Sequence, residues 1–420
     1  MMCKPALFAL LAAAGAVPGL CQDSSAGCQF GAFGTFGVAA TNTNKVGYPR
    51  NGFQPSGATH RLDPETDSRL GVQLRLPLGE SLFATLQAMS QYQYDGTYRP
   101  AITWATLTWN PVSTFTVRAG RESFELFESG RNENVGYTYL WVRPPVEVFS
   151  SSILSAIDGL DLTQSFNLGA EAMLSLKAWA GRSVGMAPLR TQSQPMNFSG
   201  GHDIGGHAGL TLGPWRGRVE MWQIQVPHDF PPPTGSVAQV LDGYSAALHD
   251  PGLARSGSLF PLQGAIGRGY SAGLVYEEGP VQAEALFIRS YFDRYLFNSN
   301  QSGFLSMGYR LGKVMPYGMF AKSRSAPLKL PYLGILPELT DPTSRKVVAG
   351  ITELVNGVNI NQYTYSGGLR WDFSDHADFK LQVDRVWSQG PPLVINLQPG
   401  FSGHLTVVSA VVDFVFGGGR

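Results

Sequence analysis

The segment Arg69-Leu70-Gly71-Val72-Gln73-Leu74-Arg75-Leu76-Pro77-Leu78-Gly79-Glu80 carries the pattern on which the fold turns. Leu70, Val72, Leu74, Leu76 and Leu78 share one parity, and Arg69, Gly71, Gln73 and Arg75 share the other. Successive side chains of an extended chain point to opposite faces, so this period of two describes a strand with one apolar and one polar face. Pro77-Leu78-Gly79-Glu80 then supplies a tight reversal. A second clear case sets Ala170, Ala172, Leu174, Leu176, Ala178 and Ala180 against Glu171, Ser175 and Lys177. Followed along the chain, the alternation predicts strands at 29–40, 67–78, 81–93, 100–110, 113–121, 157–166, 169–181, 204–213, 216–226, 267–277, 280–291, 302–311, 313–324, 360–373, 376–387 and 405–416, about 16 in all. Many are near 10 residues, the length a tilted strand needs to cross a bilayer.

Alternation does not separate a soluble sandwich from a membrane barrel, because each has one apolar and one polar face per strand. The connections do. Tight reversals at Pro77-Leu78-Gly79-Glu80, Asn110-Pro111-Val112, Asn167-Leu168-Gly169, Gly213-Pro214-Trp215-Arg216-Gly217, Glu277-Glu278-Gly279-Pro280, Leu311-Gly312-Lys313 and Ser374-Asp375-His376 intervene between long connections at 41–66, 122–156, 182–203, 227–266, 325–359 and 388–404. Short turns on one rim and long loops on the other are the arrangement of a closed transmembrane barrel. An even strand number brings both chain ends to the short-turn rim, so the first strand can pair with the last. Closure is compulsory in lipid, where an unpaired backbone group costs several kcal/mol. Aromatics at strand ends, among them Tyr92, Tyr94, Tyr98, Tyr363, Tyr365, Trp371, Phe414 and Phe416, suit the headgroup level of a membrane.

The chain has 420 residues with 31 Lys plus Arg against 31 Asp plus Glu, so its formal net charge is zero. A nucleic-acid partner would call for a basic excess, and none is present. Charged residues make up 15%, low for a soluble domain, yet no later stretch is apolar for the length of a membrane helix. Residues 1–21 read as a signal peptide: Lys4, then an apolar run from Ala6 to Val17, then small residues, with cleavage after Gly19 or Cys21. Lipidation at Cys21 is the rival reading, but Leu20 is too large for the position before a lipidated cysteine. Cys3, Cys21 and Cys28 all lie near the start, so disulfides do not hold the chain together. Residues 22–420 are then the barrel domain.

The last strand, Leu405-Thr406-Val407-Val408-Ser409-Ala410-Val411-Val412-Asp413-Phe414-Val415-Phe416, resembles the C-terminal assembly signal of outer-membrane barrels. It departs from that signal in continuing past the aromatic with Gly417-Gly418-Gly419-Arg420. Gly31-Ala32-Phe33-Gly34-Thr35-Phe36-Gly37-Val38-Ala39-Ala40 resembles the first strand of bacterial diffusion porins. Asn134-Val135-Gly136-Tyr137-Thr138-Tyr139-Leu140-Trp141-Val142-Arg143-Pro144-Pro145-Val146-Glu147 is similar to a segment of poorly characterised proteobacterial porin-like proteins. The Pro-Glu-Phe-Gly-Gly hallmark of the general trimeric porins is absent. The resemblance in layout to the Gram-negative outer-membrane porin superfamily covers the mature chain. It implies an all-β fold: a closed antiparallel transmembrane β-barrel of about 16 strands with a pore-constricting third external loop. It further implies passive diffusion of small hydrophilic solutes and ions across the bacterial outer membrane, and no cofactor. The partners implied are outer-membrane lipid and lipopolysaccharide, the barrel assembly machinery through the strand ending at Phe416, and a homotrimer, with a monomer left open.

By that resemblance the constricting loop is 122–156. Its acids are Glu122, Glu125, Glu128 and Glu133, followed by Glu147; it also holds Arg121, Arg131 and Arg143 and the aromatic run Tyr137, Tyr139 and Trp141. Gly130 and Gly136 permit sharp turns there, and Pro144-Pro145 stiffens the return. Alternation turns Arg69, Arg75, Arg118, Lys177, Arg218, Arg310, Lys322, Arg370 and Lys380 inward. Bases facing the loop's acids across a narrow lumen would create a transverse field that favours polar solutes. The expected constriction is therefore Arg75, Arg118, Lys177, Arg218 and Arg370 on the wall, facing Glu122, Glu125, Glu128, Glu133, Tyr137, Tyr139, Trp141 and Arg143.

Two other classes compete. A lipid hydrolase needs Ser, His and a carboxylate held together. The histidines His60, His202, His207, His228, His249, His376 and His404 fall mostly in loops or turns and sit in no catalytic motif. His202, Asp203 and His207 suggest a metal site only weakly, since a glycine-rich setting usually leaves such histidines solvated. The nearer competitor is a substrate-specific channel for a small carboxylate, sugar or aromatic nutrient, with the aromatic run as a sliding surface.

Overall fold

The computed structural model describes residues 27–123, 133–150, 155–188, 195–229, 235–295, 299–326, 334, 337–357, 359–389 and 393–417. The wall strands are β1 (Gln29–Thr41), β2 (Arg69–Pro77), β3 (Leu82–Gln91), β4 (Ala101–Val112), β5 (Phe115–Ser123), β6 (Ala156–Asn167), β7 (Ala172–Val184) and β8 (His202–Leu212). They continue as β9 (Trp215–Gln225), β10 (Ile266–Glu278), β11 (Val281–Phe292), β12 (Asn300–Tyr309), β13 (Val314–Ser325), β14 (Asn361–Ser374), β15 (Ala377–Ser388) and β16 (His404–Gly417). Each pairs antiparallel with its sequence neighbours, and β1 closes on β16 from Gly31↔Gly417 to Thr41↔Val407. No edge is left open, which satisfies the backbone requirement of a membrane interior.

Boundaries move by a few residues from those predicted. The turn between β4 and β5 contracts to Ser113 and Thr114 because β4 runs on to Val112 through a register shift after Trp109. β5 likewise extends to Ser123, so Arg121 and Glu122 belong to the wall and not to the loop. The signal-peptide segment 1–21 lies outside the described residues.

The closed all-β wall is as expected, and the long connections add helices not predicted from the sequence. The third long connection, 124–155, contains a 3-10 turn at Gly136–Thr138 and one helical turn, α1 (Val146–Phe149). The connection 226–265 carries α2 (Gly235–Leu248) and α3 (Pro251–Gly257), and 326–360 carries α4 (Pro342–Gly357). Asp250 caps α3 by accepting from the Gly252 N–H, with Pro251 in the first turn. Val237 with Leu241, and Val348 with Val355, put buried residues at helical spacing. A short ladder, Met186-Ala187 with Met196-Asn197, stiffens the connection 185–201.

Outward positions are exposed and apolar through the middle of the wall: Leu86, Leu107, Leu160, Leu162, Leu176, Val219, Leu274, Phe287, Leu305, Leu369, Leu381 and Val408. Tyr270, Tyr291, Tyr365 and Trp371 share that face. Toward the long-loop ends of β10 to β15 the outer face turns basic. Arg268, Arg289, Lys322, Arg324 and Arg385 are all exposed there, and none makes an ion pair among the described residues. Arg268 hydrogen-bonds Gln223, while Arg289 and Arg385 lie over the rings of Tyr291 and Trp387. The predicted inward placement of Lys322 is thus corrected. It alternates with inward Ala321 and Ser323, so its parity is outward.

Candidate channel lining

Inward positions of β1, β2 and β12 to β16 receive the loop segment 133–149. Arg69 donates from Nε to the Asn134 carbonyl at 2.8 Å and from Nη2 to the Tyr139 hydroxyl at 2.7 Å. Arg50, from the first long connection, donates to the same hydroxyl at 2.8 Å and to the Glu133 carbonyl at 3.1 Å. Lys380 on β15 donates to the Gly136 carbonyl at 2.6 Å and pairs with Asp413 on β16 at 3.0 Å. Arg370 on β14 donates to the carbonyls of Tyr137 and Tyr139 at 2.9 and 3.0 Å. Gln382 accepts from the Val142 N–H at 2.9 Å. A loop inside a wall must place its backbone polar groups on partners, and here wall side chains take that role.

Arg143 is the centre of this seat. Its guanidinium donates to Asp67 through Nε at 3.1 Å and Nη2 at 2.6 Å, to Asp384 through Nη1 at 3.4 Å, and to Ser409. It therefore joins three pieces: the loop, the segment leading into β2, and the wall. Burial alone would raise the Asp67 carboxyl, but Arg143, then Arg50 and Arg69, hold it below its ordinary value. Glu147 accepts from Gln362 and Thr364, and burial keeps its carboxyl raised against those bonds. Glu133 is pushed up to about 7 by burial, with Arg50 and Arg69 pulling the other way. Gly136 opens the 3-10 turn, and a close approach there requires a glycine, for a Cβ would stand 1.8 Å from an Asp413 carboxylate oxygen.

The wall bases find their acids on the wall. On adjacent strands β5 to β7, Arg118 lies 2.8 Å from Glu122 and 3.0 Å from Asp161, and Lys177 lies 3.4 and 3.7 Å from the same two carboxylates. Arg218 pairs with Glu220 at 2.8 Å, and Arg370 pairs with Asp372 at 2.7 Å and Asp378 at 3.1 Å. Of the expected loop acids, Glu122 does meet the expected bases Arg118 and Lys177, but from β5; Arg218 and Arg370 pair, among the described residues, with wall acids, and Arg370 also donates to loop carbonyls. The reason is strand register: Arg118↔Asp161 are direct cross-strand partners, closer than any residue across the lumen can be.

Other expected site residues are distributed differently. Arg75 is exposed near the short-turn rim with its guanidinium 3.8 Å from the Phe83 ring centroid, because β2 ends two residues later. Arg310 sits in the short turn before β13 and pairs with Asp372. Arg121 faces outward and pairs with Asp158. Tyr139 is 5% exposed and Trp141 2%, so these rings are core and not a sliding surface. Tyr137 lies half-buried beneath Arg370. Glu125 and Glu128 lie outside the described residues. Sequence reasoning missed Arg50, Asp67, Asp161, Glu220 and Asp384; for Asp161 the signal was available, since it stands at inward parity opposite Arg118.

The two sides of the interior differ in character. From β9 to β13 the inward residues Trp222, Ile224, Leu286, Ile288, Phe304, Met315, Tyr317, Met319 and Ala321 are buried in one apolar core. Trp141, Val148 and Phe149 of the loop and Val237, Leu241, Leu253, Val348 and Val355 of the helices belong to the same core. A polar inner face all round was expected, and here it gives way to packed apolar contact. From β3 to β6 the inner face is polar and borders a cavity of about 270 Å³ lined by Phe83, Thr85, Trp104, Thr106, Thr108, Asn110, Thr116, Arg118, Glu122 and Thr163.

No protein-family model matches this chain. No curated protein matches it either. Solved structures do share its fold. An anion-selective porin from Comamonas acidovorans superposes with a TM-score of 0.51 at 12% identity, covering 93% of this chain and 99% of that one. The outer membrane channel DcaP of Acinetobacter baumannii gives 0.51 at 11% identity over 94% and 99%. OmpT of Vibrio cholerae, expressed in the outer membrane, gives 0.51 at 8% over 94% and 99%. The likeness at these identities is one of fold: the chain is built as outer-membrane porins are built.

Proposed function

We propose that this porin-fold chain is a passive, water-filled channel of the bacterial outer membrane, admitting small hydrophilic solutes and ions, with the third long loop as its constriction. One observation carries the reading. Loop segment 133–149 is fastened to one side of the inner wall by buried ionic and carbonyl contacts, while the β3–β6 side across from it stays polar and borders unfilled space. A fixed loop narrows a lumen without closing it, and paired charges along the remaining wall keep it wet without a strong preference for either ion sign. The Arg118–Glu122–Asp161–Lys177 group is the proposed wall of the narrow point, with Arg218 two strands on at β9 and Arg370 at β14 beneath the seated loop. The solved neighbours include one named an anion-selective porin and one named a channel, which agrees with transport.

A narrower reading, a channel specific for a small carboxylate, sugar or aromatic nutrient, is favoured by the apolar core that fills the β9–β13 side and shrinks the passage. The outer basic belt fits phosphate groups of outer-leaflet lipid and lipopolysaccharide, flanked by Tyr and Trp at the same level. We also propose recognition of the strand ending at Phe416 by the barrel assembly machinery, and a homotrimer. Proteoliposomes test the channel directly: those holding the folded protein should swell in solutions of small polar solutes and not of large ones. Equal swelling with and without protein would refute the reading.

A further inference from the structure

The lining of the β3–β6 cavity has a composition that the channel reading leaves unused. Five of its residues are threonines: Thr85 on β3, Thr106 and Thr108 on β4, Thr116 on β5 and Thr163 on β6. They stand in register, with Thr85 opposite Thr106, Thr116 opposite Thr163, and Thr108 between Phe83 and Arg118. Adjacent strands lie about 4.8 Å apart, so these hydroxyls form a grid spaced on the scale of a small molecule. None of the five makes a side-chain hydrogen bond among the described residues. By contrast, Thr103 on the same strand does bond the Gln87 amide, and Thr35 and Thr364 are bonded to carboxylates. Two aromatic groups, Phe83 and Trp104, border the same space, and the Trp104 N–H is already taken by Ser123. What Trp104 offers the cavity is thus its ring.

The lining's own charges, Arg118 and Glu122, are paired, and Lys177 and Asp161 beside them complete a balanced group of two cations against two anions. Arg75, opposite Thr85 and over the Phe83 ring, borders it as a cation with no ion pair among the described residues. A charged solute entering here must either compete with those pairs or lose water without replacement. An uncharged polyhydroxylated solute faces neither cost. Each threonine hydroxyl can donate one hydrogen bond and accept two, so it can replace water on a solute hydroxyl in either sense. The Trp104 ring can cover the C–H face of a sugar ring, while Arg75 already lies over one face of Phe83.

Resting on the channel reading, we propose that the Thr85–Thr106–Thr108–Thr116–Thr163 surface with Phe83 and Trp104 is a binding subsite for uncharged sugars, which makes the channel selective for them over charged molecules of the same size. The class is a neutral monosaccharide or polyol. Affinity is weak, as passage requires, because each hydroxyl exchange with water nets little.

Single-channel recordings of the full-length protein in planar bilayers test this with three probes on one ring skeleton: glucose, glucuronate and glucosamine. Glucose is expected to produce concentration-dependent current fluctuations at lower concentration than either charged relative. Thr106→Val and Thr108→Val, which keep shape and remove one hydroxyl each, should each weaken glucose block about fivefold. Trp104→Phe, which keeps a ring, should retain block that Trp104→Ala loses. A potassium current in every variant certifies a folded, open channel. Block by glucuronate or glucosamine at lower concentration than glucose would overturn the proposal while leaving the channel intact. Glucose block within twofold of wild type in both valine variants would do the same. Absence of any current from the folded wild type would overturn the channel and this subsite together.

Discussion

Replacing Arg143 by Met removes the charge that joins the carboxylates of Asp67 and Asp384 to the loop, while keeping most of the side chain's volume. Arg143 is 1% exposed, and it neutralises Asp67 and Asp384, themselves buried. Taking one partner from a buried ionic group costs about 3–5 kcal/mol, mostly as the penalty of the charge left behind. Arg50 still stands 3.6 Å from Asp67, so the uncompensated residue is chiefly Asp384 and the lower end applies, about 3 kcal/mol. The strand ladder contains none of these contacts, so the barrel should survive and the cost should fall on loop seating. A change of about 3 kcal/mol multiplies the ratio of released to seated loop by about 150. Single-channel recording should then show open-level noise and a higher mean conductance in Arg143→Met. Adding Asp384→Asn, which removes the orphaned charge, should return most of the quiet. A steady single level indistinguishable from wild type, with amide exchange at residues 136–149 unchanged, would refute the assignment of Arg143 as the latch.

Glu133, pushed to about 7 by burial, should show its sign in stability. An acid whose folded pKa is raised binds protons more tightly in the folded state, so stability falls as pH rises from the ordinary carboxylate range to about 7 and levels off above. Glu133→Gln should raise Tm above pH 7 and lose that advantage near pH 4; an equal difference at both ends would contradict the burial assignment. Lys177→Met leaves Arg118 alone against Glu122 and Asp161, so a reversal potential measured in a KCl gradient should move toward cation preference, and no movement would remove this group from the ion path. Replacing Arg268 and Arg289 together by Gln should reduce phosphorylated glycolipid retained through purification, and equal retention would show that the outer belt does not hold it.

The wall was legible in the sequence because its determinants are local. Alternation in segments such as Arg69–Pro77, and the reversals after them, fix face and direction without knowledge of any partner. Ladder ends shifted by a few residues where register irregularities after Gln87 and Trp109 intervene. The helices were missed because long stretches between strands were read only as connections, although Val237 with Leu241 and Val348 with Val355 carry a helical period. The site was only partly legible. Parity placed Arg118, Lys177, Arg218 and Arg370 inward, but parity says nothing of cross-strand register, which decided that Asp161, Glu122, Glu220 and Asp378 would be their partners. The apolar inner face escaped for a related reason. On β13, Met315, Met319 and Ala321 alternate with Pro316, Phe320 and Lys322, and neither parity is clearly polar until the loop and helices that cover one of them are known.

All of this turns on whether the lumen conducts. Folded full-length protein inserted into a planar bilayer should give stepwise, ohmic current increments with weak preference between potassium and chloride. Protein that is folded by its strand content and inserted, yet electrically silent across a range of voltage and salt, would contradict the account.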